Sequence, residues 1–440
     1  MIKSYNRWAM SVKYSPENLG HPGSITVSWP GGQDHSGKAV QLEGSKSISN
    51  RALLIRALAG KPNPGEGEFD IEGLSISNDT RTLDRLLRES ETLETFDAGP
   101  AGTTYRFLTA YLSTKTTKDV ILTGSERMLQ RPIGNLVNPL RKLGAFIDYT
   151  GREGYPPLRI SDGVMGGGKV HLPNKISSQY ISALAMVGPT LGETLEIELE
   201  PPVLSRPYIE MTLAIMRHYG AEAKFKGNRI IVPPGQYEYE QFEVEGDWSA
   251  ASYHYGIVAL SPVGTSLSIS PLHEKSLQGD SALVEIYRKL GVESSFKGST
   301  LTITRVEESS DHLDYDFASC PDLAQTVAVT CAARNISARM IGLESLAIKE
   351  TDRTAALQEE LEPFGVTFEE TSEDVWEMKG EFKAVDYEIA TYDDHRMAMA
   401  FAPLAMVTGK LQIEDPMVVG KSYPSFWDTL SSLGFGLDFS

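Results

Sequence analysis

Apolar positions recur along the chain with the spacing of amphipathic helices, and several of these helices end in the same way. In each case an apolar or aromatic residue precedes a glycine, and a small or branched residue then begins a strand. The glycines are Gly144, Gly220, Gly291, Gly365 and Gly434. They are 76, 71, 74 and 69 residues apart, and this near-constant spacing indicates one repeated supersecondary unit. A weaker copy, Leu86–Ser90, precedes them. We expect each glycine to cap its helix in the left-handed conformation.

Strand pairs follow several of these glycines. Residues 222–232 alternate around Gly227, and residues 294–303 alternate around Gly298, as β-hairpins do. Each unit therefore combines helices with strands, and the chain holds about six such units. The pattern predicts an α/β fold, with two domains of three units each as the most economical architecture.

Two short stretches are predicted to cross between the domains. Glu43–Lys46 and Glu243–Ser249 both have the pattern of a strand, a glycine, a polar residue and a helix start. We therefore expect residues 1–44 and 247–440 to form one domain and residues 45–246 to form an inserted domain. A cleft between domains is a usual place for a small-molecule site.

Composition narrows the class of protein. The 440 residues are 41% hydrophobic and 23% charged, which is typical of a globular protein with more than one domain. The net charge of −18 argues against nucleic acid as the main partner, and no apolar run approaches the ~20 residues of a membrane span. Cys320 and Cys331 show no metal or disulfide pattern, so we expect buried thiols and a reducing cytoplasm. The acidic surface and the lack of an apolar helix stripe predict a monomer. Residues 1–37 are polar and lack a signal-peptide core, and we interpret them as an irregular leader.

The stretch from Gly44 to Ile55 predicts a tight turn followed by a helix that ends near Leu58. Ser45 or Ser47 can cap its first turn. Lys46 and Arg51 would bring two cations to this end of the helix, where free backbone N–H groups already favour anions. We interpret this corner as the place of a phosphorylated, carboxylated small molecule. The alternative is a solvated basic cap on an ordinary helix.

Similar helix starts recur in both halves of the chain. Arg131 stands before Pro132, which suits the first helical position and would place a further cation at a helix start. Asp322 begins an apolar helix, where a carboxylate is either a cap or a base. Glu350 lies in a run of charges that could equally be a solvated salt-bridge cluster. The other candidates at such junctions are Gly102, Ser177, Ser178, Gln179, Ser205, Lys349, Arg353, Arg396 and Lys421.

An acidic protein that gathers cations at helix starts in both halves is predicted to bind a multiply anionic ligand between them. Asp322 and Glu350 are candidates for a base and an acid among these cations. Asp393-Asp394-His395 could suggest a metal, but no second ligand group follows, so we expect none. No Walker loop, dinucleotide fingerprint or Ser-His-Asp order occurs. The residues favour a cofactor-free transferase or lyase acting on a small phosphorylated acid.

Six motifs occur in a fixed order along the chain. They are Gly44-Ser45-Lys46-Ser47-x-Ser49-Asn50-Arg51-Ala52, Arg131-Pro132-Ile133-Gly134, Ser177-Ser178-Gln179, Ser205-x-Pro207-Tyr208, Lys349-Glu350-x-Asp352-Arg353 and Asp394-His395-Arg396-Met397-Ala398. With them the chain resembles the 5-enolpyruvylshikimate-3-phosphate synthase family over roughly residues 38–430. The resemblance implies an inside-out α/β barrel of two domains, each with three βαβαββ units. It also implies transfer of the enolpyruvyl group from phosphoenolpyruvate to shikimate 3-phosphate, without a cofactor, in aromatic amino-acid biosynthesis.

The resemblance implies a role for each matched residue. Asp322 would be the base towards the 5-hydroxyl and Glu350 the acid towards the methylene carbon, with Lys46 as a third catalytic residue. The residues implied to hold shikimate 3-phosphate are Lys46, Ser47, Arg51, Ser177, Ser178, Ser205, Asp322 and Lys349. Those implied to hold phosphoenolpyruvate are Lys46, Gly102, Arg131, Gln179, Arg353, Arg396 and Lys421. Because Glu350 stands among cations, it needs burial or a hydrogen bond to remain useful as an acid.

Some positions depart from the commoner pattern of this family. Pro100 and Phe107 replace other residues on either side of Gly102, and they bear on the shape of that turn. Ser345 and Ala347 replace an Asn and an Arg, which thins the contacts expected for shikimate 3-phosphate. The small Gly102 would leave room for a phosphonate analogue such as glyphosate.

Two alternatives stay open on the sequence alone. A related enolpyruvyl transferase that uses a UDP-sugar would share the fold, but that family usually carries a reactive cysteine in its first domain. Both cysteines of this chain lie in the second half. A non-catalytic binding protein would have no reason to keep Asp322 and Glu350 among the cations.

Overall fold

A computed structural model describes residues 12–31, 36–61, 71–174, 176–203, 205–307 and 310–440. The helices are α1 (Pro16–Leu19), α2 (Lys46–Leu58), α3 (Asn78–Arg88), α4 (Gly102–Lys115), α5 (Glu126–Leu129), α6 (Gly134–Lys142), α7 (Ser178–Val187), α8 (Arg206–His218), α9 (Trp248–Ala259), α10 (Leu283–Lys289), α11 (Ala324–Ala333), α12 (Arg353–Leu361), α13 (His395–Phe401), α14 (Ala405–Thr408) and α15 (Phe426–Leu433). No helix among these residues is long and apolar enough to cross a membrane.

The strands are short and distributed along the whole chain. They are β1 (Ser24–Ser28), β2 (Lys38–Gln41), β3 (Ile71–Glu72), β4 (Thr95–Asp97), β5 (Val120–Thr123), β6 (Phe146–Tyr149), β7 (Leu158–Ser161), β8 (Gly168–Leu172), β9 (Leu195–Leu199), β10 (Lys224–Lys226), β11 (Arg229–Val232), β12 (Phe242–Glu243), β13 (Ser266–Ser270), β14 (Val292–Lys297), β15 (Thr300–Arg305), β16 (His312–Asp316), β17 (Ser337–Ile341), β18 (Val366–Ser372), β19 (Val375–Gly380), β20 (Glu388–Ile389), β21 (Lys410–Glu414) and β22 (Gly436–Phe439).

Five four-stranded sheets in the described part of the chain share one topology. In the sheet β4-β5-β7-β6, the first pair is parallel and the two following pairs are antiparallel. The same alternation holds in the sheets β8-β9-β11-β10, β2-β13-β15-β14, β16-β17-β19-β18 and β20-β21-β1-β22. A sixth sheet consists of the parallel pair β3 and β12. The sequence therefore folds into similar layered units of helices and strands.

The glycines that the sequence pattern singled out do end helices in the left-handed region. Their φ angles lie between +76° and +106°, and they are Gly144, Gly220, Gly291, Gly365 and Gly434. Both predicted hairpins are present as β10–β11 and β14–β15, with Gly227 and Gly298 at φ +61° in their turns. These predictions of local structure are confirmed.

The interpretation of residues 1–37 as an irregular leader is wrong for part of that segment. Residues 1–11 and 32–35 lie outside the described residues, but Ser24–Ser28 forms strand β1, between β21 and β22. Ile25 and Val27 alternate with polar residues and are fully buried, so this short stretch has the pattern of a half-buried strand. The polar surroundings concealed it.

The described residues form two hydrophobic cores. The inserted half has a core built from residues between Ile48 and Val244. The outer half has a core built from residues Ile25 to Leu42 and Trp248 to Phe435. The chain thus passes from the outer half to the inserted half and back once.

The two passages lie side by side. Gly44 and Gly246 form an antiparallel bridge, and the Ser45 N–H donates to the Glu245 carbonyl at 2.8 Å. A Cβ atom on Gly44 would lie 1.8 Å from the carbonyl oxygen of Gly73, so only glycine fits. This close crossing brings the start of α2 to the boundary between the halves.

Candidate active site

A cavity of about 490 Å³ lies between the two halves, within the size range of small-molecule sites. Side chains from both cores line it. The sequence-predicted site residues among its walls are Lys46, Ser47, Arg51, Gly102, Arg131, Ser177, Ser178, Gln179, Ser205, Asp322, Lys349, Glu350, Arg353 and Arg396. Lys421 is not in the wall, but its Nζ lies 3.1 Å from Glu350 Oε1. The structure therefore brings the predicted residues together.

Lys46 begins α2 at the crossing between the halves. Its backbone N–H donates to Asp247 Oδ2 at 3.2 Å, and its Nζ pairs with Asp79 Oδ2 at 3.2 Å. Ser45 is the N-cap residue, but its side chain does not accept the expected capping hydrogen bond. Asp247, on the returning passage, satisfies this end of the helix instead.

Arg51 lies one turn further along α2 and is buried. Its guanidinium donates to Thr212 Oγ1 at 2.7 Å, to the Ser47 carbonyl at 2.7 Å and to Ser182 Oγ at 3.2 Å. These three partners are uncharged. Burial lowers the pKa of Arg51 to about 10, so the group stays cationic at neutral pH. Its charge is therefore available to an anionic ligand.

The start of α7 serves partly as an ordinary cap. Ser177 Oγ accepts from the Gln179 backbone N–H at 3.3 Å, so its side chain caps the helix. The Gln179 side chain, however, contacts helix α4: it accepts from Arg106 Nη1 at 2.9 Å and donates to Thr103 Oγ1 at 2.9 Å. The amide thus connects α7 to the start of α4.

Gly102 begins α4 beside two guanidinium groups. A Cβ atom there would lie 2.5 Å from Arg106 Nη1 and 2.7 Å from Arg131 Nη1. Burial, and then the charge of Arg106, lower the pKa of Arg131 to about 10. Two adjacent cations repel each other, and an anion between them would relieve that repulsion. The absence of a side chain at Gly102 therefore leaves space where an anion is favoured.

The expectation that Arg131 stands at a helix start is wrong. Helix α6 begins at Gly134 with Ile133 as its N-cap residue, and both backbone N–H groups donate to the Gly154 carbonyl. Arg131 lies in the connection between α5 and α6 instead. Pro132 therefore lies in this connection and not in the first turn of α6.

Arg353 is the centre of the charged cluster in the outer half. This buried guanidinium donates from Nη1 to Asp322 Oδ1 at 2.8 Å and from Nη2 to Glu350 Oε2 at 2.9 Å. It also pairs with Asp394 Oδ2 at 2.7 Å through Nε. Planar guanidinium groups suit such multiple carboxylate contacts. The two candidate acid–base residues are thus held by one cation.

Asp322 has two further cationic partners. Lys349 Nζ lies 3.2 Å from Oδ1, and Arg396 Nη2 lies 3.2 Å from Oδ2. Burial alone raises the pKa of Asp322, but the surrounding cations, Arg396 first, outweigh it and hold the pKa below its usual range. Asp322 makes these ion pairs rather than a helix cap, so the capping alternative does not describe it.

Glu350 is held in the same way. Burial raises its pKa, but Lys421, Arg353 and the other nearby cations together hold the pKa well below its usual range. Glu350 is therefore ionised in this arrangement of charges. The burial that an acid needs is present, yet the cations outweigh it.

The Asp394-His395-Arg396 motif begins helix α13. Asp394 caps the helix by accepting from the Arg396 backbone N–H at 2.9 Å. Burial, then the charges of Lys46 and Arg396, lower the pKa of His395 well below its usual value, so the ring is neutral. Within the described ranges, no group of three or more His, Cys, Asp or Glu side chains is placed to hold a metal ion.

Several wall residues were missed by reasoning from the sequence. Asp79 and Asp247 hold Lys46, Arg106 accompanies Arg131, and Tyr208 Oη lies 3.5 Å from Asp322 Oδ2. For two of them, the sequence spacing does indicate a place in the site. Arg106 stands four residues after Gly102 and so shares its helix face, and Asp247 follows Gly246 as Ser45 follows Gly44.

The departures from the family pattern occupy different places. Phe107 is fully buried, and the Arg51 guanidinium lies 5.6 Å from its ring centre, within reach of a cation–π contact. Ser345 lines the cavity, whereas Pro100 and Ala347 are exposed and outside its wall. Cys320 and Cys331 are both buried, as predicted, and burial raises the pKa of Cys320 to about 12.

The sequence of this chain is similar to a known family of enzymes. The sequence model of the family described as EPSP synthase (3-phosphoshikimate 1-carboxyvinyltransferase) matches residues 88–430. A 3-phosphoshikimate 1-carboxyvinyltransferase of Bacteroides fragilis strain YCH46 is 44% identical over 403 residues, covering 90% of this chain and 95% of that protein. The protein of the same name from Sulfurovum sp. is 35% identical over 422 residues, covering 90% of this chain and 96% of its own.

Solved structures share the fold. The EPSP synthase of Acinetobacter baumannii superimposes with a TM-score of 0.76 at 20% identity, covering 95% of this chain and all of its own. The enolpyruvyl transferase NikO from Streptomyces tendae does so with a TM-score of 0.70 at 13% identity, covering 96% and 99%. The α/β fold is thus that of EPSP synthase structures, and the sequence matches confirm the resemblance. The chain belongs to the EPSP synthase (3-phosphoshikimate 1-carboxyvinyltransferase) family.

Proposed function

We propose that this protein transfers the enolpyruvyl (1-carboxyvinyl) group from phosphoenolpyruvate to the 5-hydroxyl of shikimate 3-phosphate, with release of phosphate, in aromatic amino-acid biosynthesis. One observation carries the proposal: two partly buried carboxylates, Asp322 and Glu350, contact the same guanidinium of Arg353 at a cavity lined by cations. Such a site suits two small polyanionic substrates and a reaction that moves protons between them. The reaction is the one named for the family.

The proposed binding of shikimate 3-phosphate uses the starts of α2, α7 and α8. The residues are Lys46, Ser47, Arg51, Ser177, Ser178 and Ser205, with Asp322 and Lys349 from the outer half. Arg51 supports this assignment because its hydrogen-bond partners are neutral, which leaves its charge to be balanced by a phosphate.

The proposed binding of phosphoenolpyruvate uses cations of both halves. The residues are Lys46, Gly102, Arg131, Gln179, Arg353, Arg396 and Lys421. The adjacent guanidiniums of Arg106 and Arg131 beside Gly102 support a phosphate at that point, because an anion would relieve their repulsion. Arg106 therefore joins the proposed set.

In the proposed reaction, Asp322 takes the proton of the 5-hydroxyl while the oxygen adds to C2 of phosphoenolpyruvate. Glu350 delivers a proton to C3, so the double bond becomes a single bond. Glu350 then takes a proton back from C3 as the C2–O bond to phosphate breaks, which restores the double bond. The proton held by Asp322 leaves with the phosphate. The cations around the phosphate stabilise the charge that develops on it. Lys46, at the boundary of the halves, contributes one of these charges.

Glu350 must gain a proton before it can act as an acid. Its ion pairs with Lys421 and Arg353 hold it ionised. An anionic substrate that engages these cations would weaken their hold on Glu350 and raise its pKa. Substrate binding would therefore prepare the acid.

The proposal includes an architecture. Residues 1–44 with 247–440 and residues 45–246 are assigned to two domains of an inside-out α/β barrel, each with three βαβαββ units. The two cores and the paired crossing at Gly44 and Gly246 support this division. The proposal also includes a monomer in the cytoplasm. The buried thiols of Cys320 and Cys331 suit a reducing compartment.

The test is phosphate release by the purified protein mixed with phosphoenolpyruvate and shikimate 3-phosphate, without added metal. A parallel sample contains UDP-N-acetylglucosamine in place of shikimate 3-phosphate. We expect release with shikimate 3-phosphate alone. Release with the UDP-sugar alone would overturn the assigned acceptor, and no release in either sample would overturn the assigned reaction.

A further inference from the structure

Another buried carboxylate lies behind the pair formed by Arg396 and Asp322. Asp280 is only 3% exposed and belongs to the short 3₁₀ turn Gly279–Ala282, ahead of α10. It does not line the cavity. No motif of the sequence analysis included it.

A chain of polar contacts connects Asp280 to the proposed base. Asp280 Oδ2 accepts a hydrogen bond from Ser249 Oγ, and Ser249 lines the cavity. The same hydroxyl oxygen lies 3.3 Å from Arg396 Nη2, which in turn lies 3.2 Å from Asp322 Oδ2. Two residues, Ser249 and Arg396, thus connect Asp280 to Asp322 through three contacts.

The other oxygen of Asp280 is unused. Oδ1 is buried and has no hydrogen-bond partner among the described residues. A buried carboxylate without a full set of partners costs stability, and an asparagine would fill the same space without a charge. The negative charge at this position is therefore better explained by an effect on its neighbours than by packing.

Three charged groups and one hydroxyl act on Asp280. Burial, and then the charge of Asp322, raise the pKa of Asp280 to about 6, while Arg396 and the Ser249 hydrogen bond oppose that rise and Asp247 adds to it. The charge of Asp280 also acts on Tyr208, whose hydroxyl lies 3.5 Å from Asp322 Oδ2. Asp280 is therefore electrostatically joined to the site and is ionised at neutral pH.

We propose that Asp280 is a positioning residue of the reaction: through Ser249 it fixes Arg396 against Asp322, and its negative charge keeps Asp322 basic among three cations. This inference rests on the proposed function for its kinetic consequences. The position of Arg396 is a separate consequence that requires no turnover. Asp280 itself touches neither substrate.

Two substitutions separate the charge from the contact. Asp280→Asn keeps an acceptor for Ser249 and removes the charge, whereas Ser249→Ala keeps the charge and removes the contact. Glu360→Gln is the matched control, because Glu360 is a buried carboxylate, 1% exposed, that accepts hydrogen bonds from Tyr392 and Ala390 away from the cavity wall. Folding of each variant is checked by its thermal midpoint.

We expect Asp280→Asn to lower kcat about tenfold to hundredfold at pH 7.5, the range for loss of a buried charged contact, with Glu360→Gln near the native value. Native kcat should fall as the pH drops through about 6, as Asp280 gains its proton. The Asp280→Asn variant should lack that fall. Two results for Asp280→Asn would overturn the role of the charge. One is a kcat equal to that of the native protein, and the other is a lower kcat that still falls through about pH 6 as in the native protein.

Crystal structures of the native protein and Ser249→Ala test the contact, whether or not the protein turns over the proposed substrates. We expect Arg396 Nη2 to move away from Asp322 Oδ2 in the variant. An unchanged Arg396 would overturn the positioning role. Absence of phosphate release by the native protein would instead contradict the proposed function alone, and the Arg396 comparison would still decide this inference.

Discussion

Arg127 Nε donates a hydrogen bond of 3.2 Å to the backbone oxygen of Glu350, so a side chain of the inserted half holds the main chain of the proposed acid in the outer half. Arg127 is exposed and lies in α5, four residues before Arg131. The contact joins α5 of the inserted half to the segment of the outer half that carries Lys349 and Glu350.

Replacing Arg127 by Gln should therefore impair substrate binding more than chemistry. We expect KM for phosphoenolpyruvate to rise about threefold to tenfold, equivalent to about 0.7 to 1.4 kcal/mol. This is less than a hydrogen bond to a charged group usually contributes, because the side chain is exposed. Steady-state phosphate release measures it. Arg85→Gln, an exposed arginine paired with Glu89, is the control and should behave as the native protein. A lower kcat with native KM in Arg127→Gln would contradict this prediction.

Gly102→Ala should weaken phosphoenolpyruvate binding. The new Cβ atom would lie 2.5 Å from Arg106 Nη1 and 2.7 Å from Arg131 Nη1, so both guanidiniums must move away from the space assigned to phosphate. We expect KM for phosphoenolpyruvate to rise at least tenfold, and inhibition by glyphosate to weaken in parallel, since loss of about 1.4 kcal/mol of binding is tenfold.

The control for this substitution is Gly192→Ala. A Cβ atom at Gly192 has no neighbour within 4 Å, and the residue is not in the left-handed region. It should leave KM unchanged and so exclude a general effect of adding a methyl group. Equal KM values for Gly102→Ala and the native protein would show that the two arginines are not at the phosphate.

Glu350→Gln should abolish turnover while leaving ligand binding largely intact. The amide cannot deliver a proton to C3, but Lys421 and Arg353 would remain free to bind an anion. We expect kcat to fall by about a hundredfold to ten-thousandfold, the usual contribution of general acid catalysis. Native turnover in this variant would contradict the assignment of the acid.

The same variant tests whether substrate prepares the acid. Glu350 is ionised without ligand, and an anion that engages its cations raises its pKa. The native protein should take up a proton when ligand binds, so affinity should weaken as pH rises. Calorimetry at pH 8 in buffers of different ionisation enthalpy measures this uptake. It should disappear in Glu350→Gln, and equal uptake in both proteins would exclude Glu350 as its source.

Glu43→Gln should change how stability depends on pH. Glu43 is buried and accepts from the Ser425 N–H and hydroxyl, and burial raises its pKa from 4.5 to about 7. Between these values the folded protein keeps a proton that the unfolded chain has released. The free energy of unfolding therefore falls as pH rises from 4.5 to 7, by on the order of 3 kcal/mol from this group.

Urea unfolding at several pH values between 5 and 7.5 measures that slope. The Glu43→Gln variant should lose the part of the decline that Glu43 contributes, because Gln carries no titrating proton. Glu153→Gln, at an exposed carboxylate, should keep the native slope. Identical slopes in all three proteins would show that Glu43 does not carry the proton.

Local structure followed from the sequence because it depends on neighbours in the chain. The helix-ending glycines and the hairpin turns need only a positive φ, which glycine supplies at little cost. Strand β1 was missed because its pattern is five residues long and its partners, β21 and β22, lie almost 400 residues further along. Such pairing is decided by tertiary contacts.

The site was predictable in its residue types but not in its pairings. Cations at helix starts identified Lys46, Arg353 and Arg396 before any geometry was known. The sequence could not show that Arg353 would bind both acid–base candidates, because the approach of Asp322 and Glu350 depends on how separate units pack. The contribution of Asp280 was concealed for the same reason.

The bridge between Gly44 and Gly246 means that the intervening segment starts and finishes at one point in space. The Asp247 N–H donates to the Glu43 carbonyl at 3.0 Å, so a direct link between these two residues would span a very short gap. The segment between them is therefore topologically a cassette. It could be removed, expressed by itself, or exchanged for that of a relative without changing the path of the remaining chain. Such an exchange would combine the substrate-binding residues of one enzyme's segment with Asp322 and Glu350 of this chain.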